Sequence, residues 1–303
     1  MRIGLFVGVT GPITFAEALA AAKQAEQADL DSFWLPNIFA LDALTTLAAI
    51  GAQTERIELG TNVVPVYPRH PMALAQQALT TSVLTSGRLT LGIGLSHKFI
   101  IEGMFGMSFD APSRYMREYL SILQPMLSGE AVNFDGAVLR TTGQLTVTDA
   151  YPVSVLVAAM GPRMLQLAGT MTDGTLLGWA GAKNVREYAA PAIRTAAEAQ
   201  GRPAPRISTA LPICVTDDVD AAHRLATELF AVYKDIPSYR TILDREGKAT
   251  VADVALIGDE QRVGEQLAEL ADAGVTDLAA AVYGASEERD RTMTLLSEAR
   301  RAQ

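Results

Sequence analysis

The sequence is 303 residues long, 49% hydrophobic, and carries a formal net charge of −9. A chain of this length can bury one large core if its architecture is an α/β barrel. The acidic balance, without any cluster of Lys and Arg, argues against nucleic acid as a partner, because phosphate binding needs concentrated positive charge. Cys214 is the only cysteine, which excludes an internal disulfide and a cysteine-based zinc site.

Short apolar runs alternate with longer segments of helical period along the whole chain. The predicted strands are 2–9, 32–36, 56–64, 88–94, 153–159, 174–179, 206–215 and 277–284. The predicted helices are 14–28, 41–53, 70–86, 113–127, 161–171, 183–200, 217–233 and 285–301. Thr14 and Glu17 have the spacing of a capping box at the first helix. Eight apolar strands, each followed by a helix, predict an α/β protein with a (β/α)8 TIM barrel rather than an open doubly wound sheet.

We expect a single barrel domain over residues 1–303, with excursions at about 97–112, 128–152 and 234–258. The second excursion contains Asp135 and Gly136, a pair typical of a hairpin turn. No run reaches the ~20 apolar residues that cross a bilayer, and the N-terminal run is better interpreted as a strand than as a leader peptide. We therefore expect a cytoplasmic protein with no membrane partner.

In such a barrel the chemistry lies where the strands end, so the residues after each strand are the candidates. Gly161 and Pro162 follow the fifth predicted strand and open a helix, with Arg163 in its first turn. Proline suits that position, and the free N–H groups of the helix could hold a phosphate. The alternative is an ordinary tight turn with an exposed arginine.

Ser96 and His97 follow the fourth predicted strand. His97 could act as a general acid or base, because an unperturbed imidazole titrates near neutrality, although a single histidine is more often structural. His70 is predicted to pack or cap at its helix, and His223 to face solvent. Three scattered histidines without a carboxylate at ligand spacing predict no metal site.

Known nucleotide and hydrolase motifs are missing. The sequence has no G-x-S-x-G elbow and no G-x-x-x-x-G-K-[ST] loop. The stretch "GVTGPI" (8–13) lacks the third glycine of a dinucleotide fingerprint, so we do not interpret it as an NAD(P) motif.

Three segments carry a resemblance to a known family. Residues 58–97, "ELGTNVVPVYPRHPMALAQQALTTSVLTSGRLTLGIGLSH", resemble the luciferase-like flavin and deazaflavin oxidoreductases, and the segments 161–174 and 258–275 match two further signatures of that family. The match, with "EGMFG" (102–106), favours the branch that depends on coenzyme F420. The resemblance implies a luciferase-like TIM barrel that binds its cofactor at the C-terminal ends of the strands.

The resemblance also implies roles for particular residues. It places a non-proline cis peptide between Asn62 and Val63, backing the central flavin ring; the alternative is an ordinary strand end. Further cofactor contacts are implied at Gly94, Ser96 and Met160, with Gly161, Pro162 and Arg163 as the phosphate anchor. The catalytic candidates are His97, Asn37 and Ser96. Many members carry a histidine or an aspartate at the position of Asn37, and a glutamate at the position of His97. Because this sequence departs from both, the proton donor is not assigned.

The expected function is hydride transfer between coenzyme F420 and a small organic substrate. One alternative is an FMN-dependent monooxygenase, and another is a non-catalytic relative that binds a flavin. The resemblance also implies a homodimer that pairs through the alanine-rich helices 14–28 and 70–86.

Overall fold

The computed structural model describes residues 1–302, which form twelve strands and twelve α-helices. The strands are β1 (Arg2–Phe6), β2 (Ser32–Leu35), β3 (Glu58–Thr61), β4 (Val64–Pro65), β5 (Leu89–Gly94), β6 (Val132–Asp135), β7 (Arg140–Gly143), β8 (Ser154–Ala158), β9 (Gly174–Gly178), β10 (Arg206–Val215), β11 (Leu256–Gly258) and β12 (Asp277–Val282). The helices are α1 (Phe15–Gln27), α2 (Ala43–Gly51), α3 (Pro71–Leu84), α4 (Lys98–Gly103), α5 (Pro112–Leu127), α6 (Pro162–Met171), α7 (Ala182–Asn184), α8 (Ala190–Glu198), α9 (Val219–Leu229), α10 (Pro237–Glu246), α11 (Glu260–Ala273) and α12 (Ser286–Arg301).

Eight of the strands close into a parallel barrel. Their order is β1, β2, β3, β5, β8, β9, β10 and β12, and β12 pairs again with β1. The helices that follow these strands surround the barrel, so the strands are covered on both faces and consist mostly of apolar residues. The predicted (β/α)8 TIM barrel is therefore confirmed. None of the helices in residues 1–302 has both the length and the apolar character needed to cross a bilayer.

The largest fully buried side chain belongs to a tryptophan of β2. Trp34 in β2 is fully buried, and its Nε1 donates a hydrogen bond to Ser32 Oγ at 2.8 Å. A Cβ atom placed on Gly60 would lie 2.2 Å from this indole, and one on Gly4 would lie 2.9 Å from its Nε1. The two neighbouring strands therefore need glycine at these positions for the tryptophan to fit.

A cluster of charged side chains closes the end of the barrel at which the strands begin. Arg206 Nη2 lies 2.6 Å from Asp277 Oδ1 and 2.8 Å from Glu58 Oε1, and Arg2 Nη1 lies 2.9 Å from Glu58 Oε2. Burial disfavours the charged guanidinium of Arg206, but its hydrogen bonds to Asp277 and the charge of Glu58 outweigh that effect and raise its pKa. This cluster, which we call the barrel floor, joins the first residues of four strands.

Local sequence signals are confirmed at two places. Thr14 and Glu17 form the predicted capping box at the start of α1. The predicted hairpin around Asp135 and Gly136 is the antiparallel pair β6 and β7, closed by a hydrogen bond from Gly136 N to Leu139 O at 2.9 Å.

Other elements differ from the predictions. The single strand predicted over 56–64 is divided into β3 and β4 around residues 62–63, and the helix predicted over 183–200 contains a π-helical turn at Val185–Ala189. The excursion predicted at 234–258 contains α10 and the short strand β11, and α11 follows it; all three were missed. The first excursion contains α4, since Lys98–Gly103 forms a short helix directly after β5.

Candidate active site

The barrel mouth, formed by the C-terminal ends of the eight strands and the segments that follow them, brings together most of the predicted site residues. The peptide between Asn62 and Val63 is cis, as the family resemblance implied. The Asn62 backbone N donates to Leu35 O at 2.8 Å, which fixes this segment to the end of β2. The chain between β3 and β4 therefore bulges beside the end of β2, and β4 then resumes the pairing with β5.

Gly94, the last residue of β5, lies directly beside this cis peptide. A Cβ atom placed on Gly94 would come 2.7 Å from Val63 Cγ2 and 3.2 Å from the Cβ of Ala158 in β8. Contacts between real Cβ atoms and their neighbours essentially never fall below 3.0 Å. Only glycine therefore lets the ends of β3, β5 and β8 approach this closely, and the side chain of Val63 packs over the buried backbone of Gly94.

Ser96 turns the chain away from β5 because it adopts a left-handed backbone conformation, with φ of 61°. His97 follows and begins α4, and its carbonyl oxygen accepts hydrogen bonds from Ile100 N and Ile101 N at 3.0 Å each. Ser96 and His97 are both half-buried. The sharp turn thus keeps the imidazole at the mouth.

The His97 imidazole is enclosed by two aromatic rings. The ring of Phe99 lies parallel to it at 5.8 Å between centroids, and the ring of Tyr239 meets it at 5.5 Å and 62°. Burial lowers the pKa of His97 below its usual 6.5, so the imidazole is neutral at pH 7. Burial likewise raises the pKa of Tyr239, so this phenol stays uncharged at neutral pH.

Tyr239 belongs to an aromatic cluster that covers one side of the mouth. Its ring lies 5.2 Å from Tyr233, and Tyr233 lies 4.9 Å from Trp179, both in edge-on geometry. A Cβ atom on Gly178 would lie 2.7 Å from Tyr239 Cε1 and 3.5 Å from Met160 Cε. Met160 and His97 therefore lie near the same tyrosine.

The helix that carries Tyr239 is anchored to the neighbouring units. Arg245 Nη1 donates to Met160 O at 2.9 Å, and the guanidinium lies 3.6 Å from the centroid of the Tyr188 ring, a cation–π contact. Glu246 Oε1 accepts from Asn184 N at 2.8 Å, and burial raises the pKa of this carboxyl although backbone hydrogen bonds oppose the shift. The sequence interpretation named none of these α10 residues.

The N-terminus of α6 is open. Gly161 is its N-cap and provides no side-chain hydrogen bond, and a Cβ atom placed there would meet no atom within 4 Å. Pro162 occupies the first helical position, and the side chain of Arg163 is exposed and makes no hydrogen bond or ion pair with residues 1–302. The first-turn N–H groups and the guanidinium are thus available to an anion.

Asn37, a predicted catalytic residue, has a side chain that is hydrogen-bonded to the start of α2. It follows β2 at the mouth, but its Oδ1 accepts a hydrogen bond from Ala43 N at 2.9 Å and so helps to cap α2. Asp42 assists, with Oδ1 accepting from Thr45 N at 2.9 Å while its other oxygen pairs with Arg69. Asn37 therefore has a structural function that the sequence did not indicate.

The two remaining histidines lie away from the candidate site residues at the mouth. His70 Nδ1 accepts from Met72 N at 3.3 Å at the start of α3, so the predicted cap is confirmed. His223, predicted to face solvent, has a side chain 44% exposed, and its Nε2 lies 3.0 Å from Asp253 Oδ1. Within residues 1–302 no group of three or more His, Cys, Asp or Glu side chains is arranged to hold a metal ion.

Two concave surfaces differ in character. A pocket of about 240 Å³ lies at the mouth, between the segments that follow β1 and β2. A larger depression of about 740 Å³ lies between α11 and α12, and five of its lining residues are charged: Glu260, Glu287, Asp290, Arg291 and Glu298. The larger depression contains none of the candidate site residues, so its size does not make it the active site.

Comparison with known proteins identifies the relatives of the chain. A family model described as luciferase-like monooxygenase matches residues 1–277. The chain is 30% identical over 237 residues to a 5,10-methylenetetrahydromethanopterin reductase of Methanolobus tindarius, covering 77% of this chain and 72% of that protein. It is 31% identical over 284 residues to an F420-dependent glucose-6-phosphate dehydrogenase of Kineococcus radiotolerans, covering 87% and 81%. The solved structure of the coenzyme F420 dependent tetrahydromethanopterin reductase from Methanopyrus kandleri superposes with a TM-score of 0.84 at 19% identity, over 98% of this chain and 97% of that one.

Proposed function

Since the chain belongs to the luciferase-like monooxygenase family, we propose that it is a coenzyme F420-dependent oxidoreductase, which transfers a hydride between the deazaflavin and a small organic substrate. The observation that carries this proposal is the surface at the ends of β3 and β5, where the side chain of Val63 packs closely over the backbone of Gly94. A flat ring can lie against such a surface. Relatives that match most of the chain are described as F420-dependent, which favours the deazaflavin.

The residues at the mouth fit a cofactor that carries a phosphate. The open first turn of α6 offers N–H donors, Gly161 allows close approach, and Arg163 is free to pair with an anion. Met160 directly precedes this turn, and Gly94 and Val63 lie at the end of β5, the strand beside β8. In this proposal Arg163 and the α6 N-terminus hold the phosphate, and Val63, Gly94 and Met160 contact the ring.

The chemistry that F420 supplies when bound is hydride transfer at a ring carbon. The protein itself must position the substrate and supply the group that accepts or donates the proton. The neutral imidazole of His97 can accept a proton from a substrate hydroxyl as the hydride leaves, because its lowered pKa keeps a ring nitrogen unprotonated at pH 7. Ser96 and the amide NH2 of Asn37 are further candidates for contact with the substrate.

The aromatic cluster has a separate role in this proposal. Tyr239, Tyr233 and Trp179 limit the access of water to one side of the mouth. Excluding water strengthens the electrostatic interactions between bound groups and prevents the loss of a reactive hydride equivalent. The cation–π contact of Arg245 keeps α10 in the position that this role requires.

The second candidate is an FMN-dependent monooxygenase, which the description of the family model favours. The α6 N-terminus would hold the FMN phosphate equally well. Parallel calorimetric titrations with F420 and FMN separate the two functions. We expect F420 to bind at least tenfold more tightly, a difference of about 1.4 kcal/mol. Equal or reversed affinities would rule out the deazaflavin assignment, and binding of neither would contradict all three candidates, since the non-catalytic relative is also expected to bind a flavin.

We also propose that the barrel, with its three excursions, is one domain and that it forms a homodimer through α1 and α3. Ala18, Ala22 and Ala25 of α1 are buried against the barrel, so these alanines are occupied within the chain. Phe15 and Leu84, 38% and 51% exposed, are the large apolar residues that such a contact would cover. Light scattering at micromolar concentration distinguishes a dimer from a monomer.

A further inference from the structure

The pocket of about 240 Å³ at the barrel mouth has an unusual lining. Its eleven residues are all glycine or apolar: Gly8, Val9, Gly11, Pro12, Ile13, Leu35, Pro36, Ile38, Phe39, Ala40 and Leu41. No lining side chain carries a charge or a hydrogen-bonding group. A ligand with a charge would therefore lose its hydration there without gaining a side-chain partner, which is costly.

Two polar side chains that adjoin the lining residues from Leu35 to Leu41 are bonded to other partners. Asn37 lies between two lining residues, but its Oδ1 is bonded to Ala43 N. Asp42, which follows the last lining residue, bonds to Thr45 N and pairs with Arg69. Asn37 Oδ1 and the Asp42 carboxylate are thus engaged at the start of α2, and the side chains that line the pocket are all apolar.

The pocket lies next to the proposed ring position. Leu35 forms part of its wall, and the carbonyl of the same residue accepts the hydrogen bond from Asn62 N at 2.8 Å. Asn62 is the first residue of the cis peptide. A molecule held in this pocket would therefore border the surface on which we place the deazaflavin.

The size and the rim of the pocket limit its occupant. An apolar cavity of about 150 Å³ is enough to bind one benzene ring, whereas drug-sized ligands need roughly 300 Å³ or more. A volume of about 240 Å³ therefore suits one ring or a short branched chain. Ile38 and Phe39 at the rim are 52% and 59% exposed, so a bound hydrocarbon group would remove apolar surface of both from water.

We infer that this pocket binds the hydrocarbon portion of an uncharged substrate about one ring in size, such as a cyclic ketone or secondary alcohol, and that it discriminates against phosphorylated or carboxylated molecules. The inference rests on the proposed function and deepens it, because it names the class of substrate that the mouth accepts. It also sets this chain apart from a sugar phosphate oxidiser in specificity.

The test compares two probes on the protein without cofactor, by calorimetry or by NMR shift titration. The probes are cyclohexanone and cyclohexanecarboxylate, which share a ring but differ in charge. We expect cyclohexanone to bind at least tenfold more tightly. Equal affinities, or tighter binding of the carboxylate, would overturn the inference without any need for a variant.

A variant then locates the binding. Ile38→Asp places a carboxylate on the rim at a residue that is half exposed, so the fold does not depend on it. We expect at least a tenfold loss of cyclohexanone affinity. Val219→Asp is the matched control, since Val219 is 47% exposed at the start of α9 and lies outside the pocket. Retention of full affinity by Ile38→Asp, or an equal loss in both variants, would overturn the assignment.

Titration of the same proteins with F420 separates this inference from the proposed function. Discrimination between the probes together with F420 binding supports both. Discrimination without F420 binding would leave the pocket as a binding site but remove its role as a substrate site. F420 binding without discrimination would overturn the inference and leave the proposed function in place.

Discussion

The ring of Tyr239 meets the imidazole of His97 nearly edge-on, with their centroids 5.5 Å apart and their planes at 62°. The contact joins the helix α10 to the turn after β5, and it withdraws the imidazole from water. Tyr239 is the titratable side chain that faces His97, and it is uncharged at neutral pH. The protonation of His97 is therefore governed by burial rather than by a charged neighbour.

Replacing His97 by Gln tests its role in proton transfer. Glutamine keeps hydrogen-bonding groups of similar size but cannot titrate. We expect turnover to fall by roughly 10² to 10⁴-fold, the usual range for a lost acid or base, while F420 affinity is retained. Steady-state rates and a cofactor titration measure the two quantities. His223→Gln is the control, since His223 is bonded to Asp253 on the outer part of the fold and its loss should leave turnover unchanged.

The pH dependence of alcohol oxidation follows from the lowered pKa of His97. The imidazole must be neutral to accept a proton, and its pKa lies below 6.5. We expect kcat/KM to be level near pH 7 and to fall by up to about tenfold per unit as the pH drops below that lowered pKa. An acid limb that persists unchanged in His97→Gln would show that another group is responsible.

Removing the ring of Tyr239 should raise the pKa of His97. In Tyr239→Ala the imidazole gains water, so the burial that lowers its pKa is relieved and the value moves back toward 6.5. Tyr239→Phe keeps the ring and should leave the value near that of the unaltered protein. NMR titration of the imidazole C–H signals measures the shift without any substrate. Equal values in both variants would mean that Tyr239 does not shield His97.

Arg163→Ala should weaken cofactor binding without affecting the fold. A hydrogen bond to a charged group contributes about 1.5–3 kcal/mol, and each 1.4 kcal/mol corresponds to a tenfold change in affinity. Arg224→Ala removes the same charge from an exposed site on α9 and should leave the affinity unchanged. Equal affinities in the two variants would place the phosphate on the backbone N–H groups alone or at another site.

Gly94→Ala should reduce stability as well as cofactor binding. The added methyl group would lie 2.7 Å from Val63 Cγ2, and overpacking of this kind costs about 1–3 kcal/mol. Gly103→Ala in α4 is the control, because a Cβ atom there meets nothing within 4 Å and alanine favours the helix. Urea unfolding measures both variants. A Gly94→Ala protein as stable as the control would contradict the close approach of β3 and β5.

The barrel could be predicted because continuous apolar runs in the sequence indicate buried parallel strands. Residues 206–215 are an example, since the predicted bounds agree with β10. The helix α10 was missed even though Pro237 begins it and Gly247, with φ of 72°, ends it, since the polar residues between them weaken the helical period. The strand β11 is three residues long, too short for any periodic pattern.

The candidate site was predicted in part, since strand ends and family motifs indicate which residues reach the mouth. Sequence does not specify side-chain partners. Nothing near Asn37 shows that its amide caps α2, and nothing near His97 shows that it contacts Tyr239, because the two lie on distant units of the barrel. Such contacts depend on the packing of the excursions, which local propensity does not determine.

The barrel floor has a consequence for the order in which the protein can be assembled during synthesis. Arg2 and Glu58 leave the ribosome early, but Asp277, which joins both arginines, is made near the end. Until β12 emerges, β1 and β10 each lack their shared neighbour, and the barrel remains an open sheet, with only the last residues of β10 paired to β11 on that side. The edge of β1 therefore stays open through most of translation, whereas that of β10 waits only for the residues between 215 and 277.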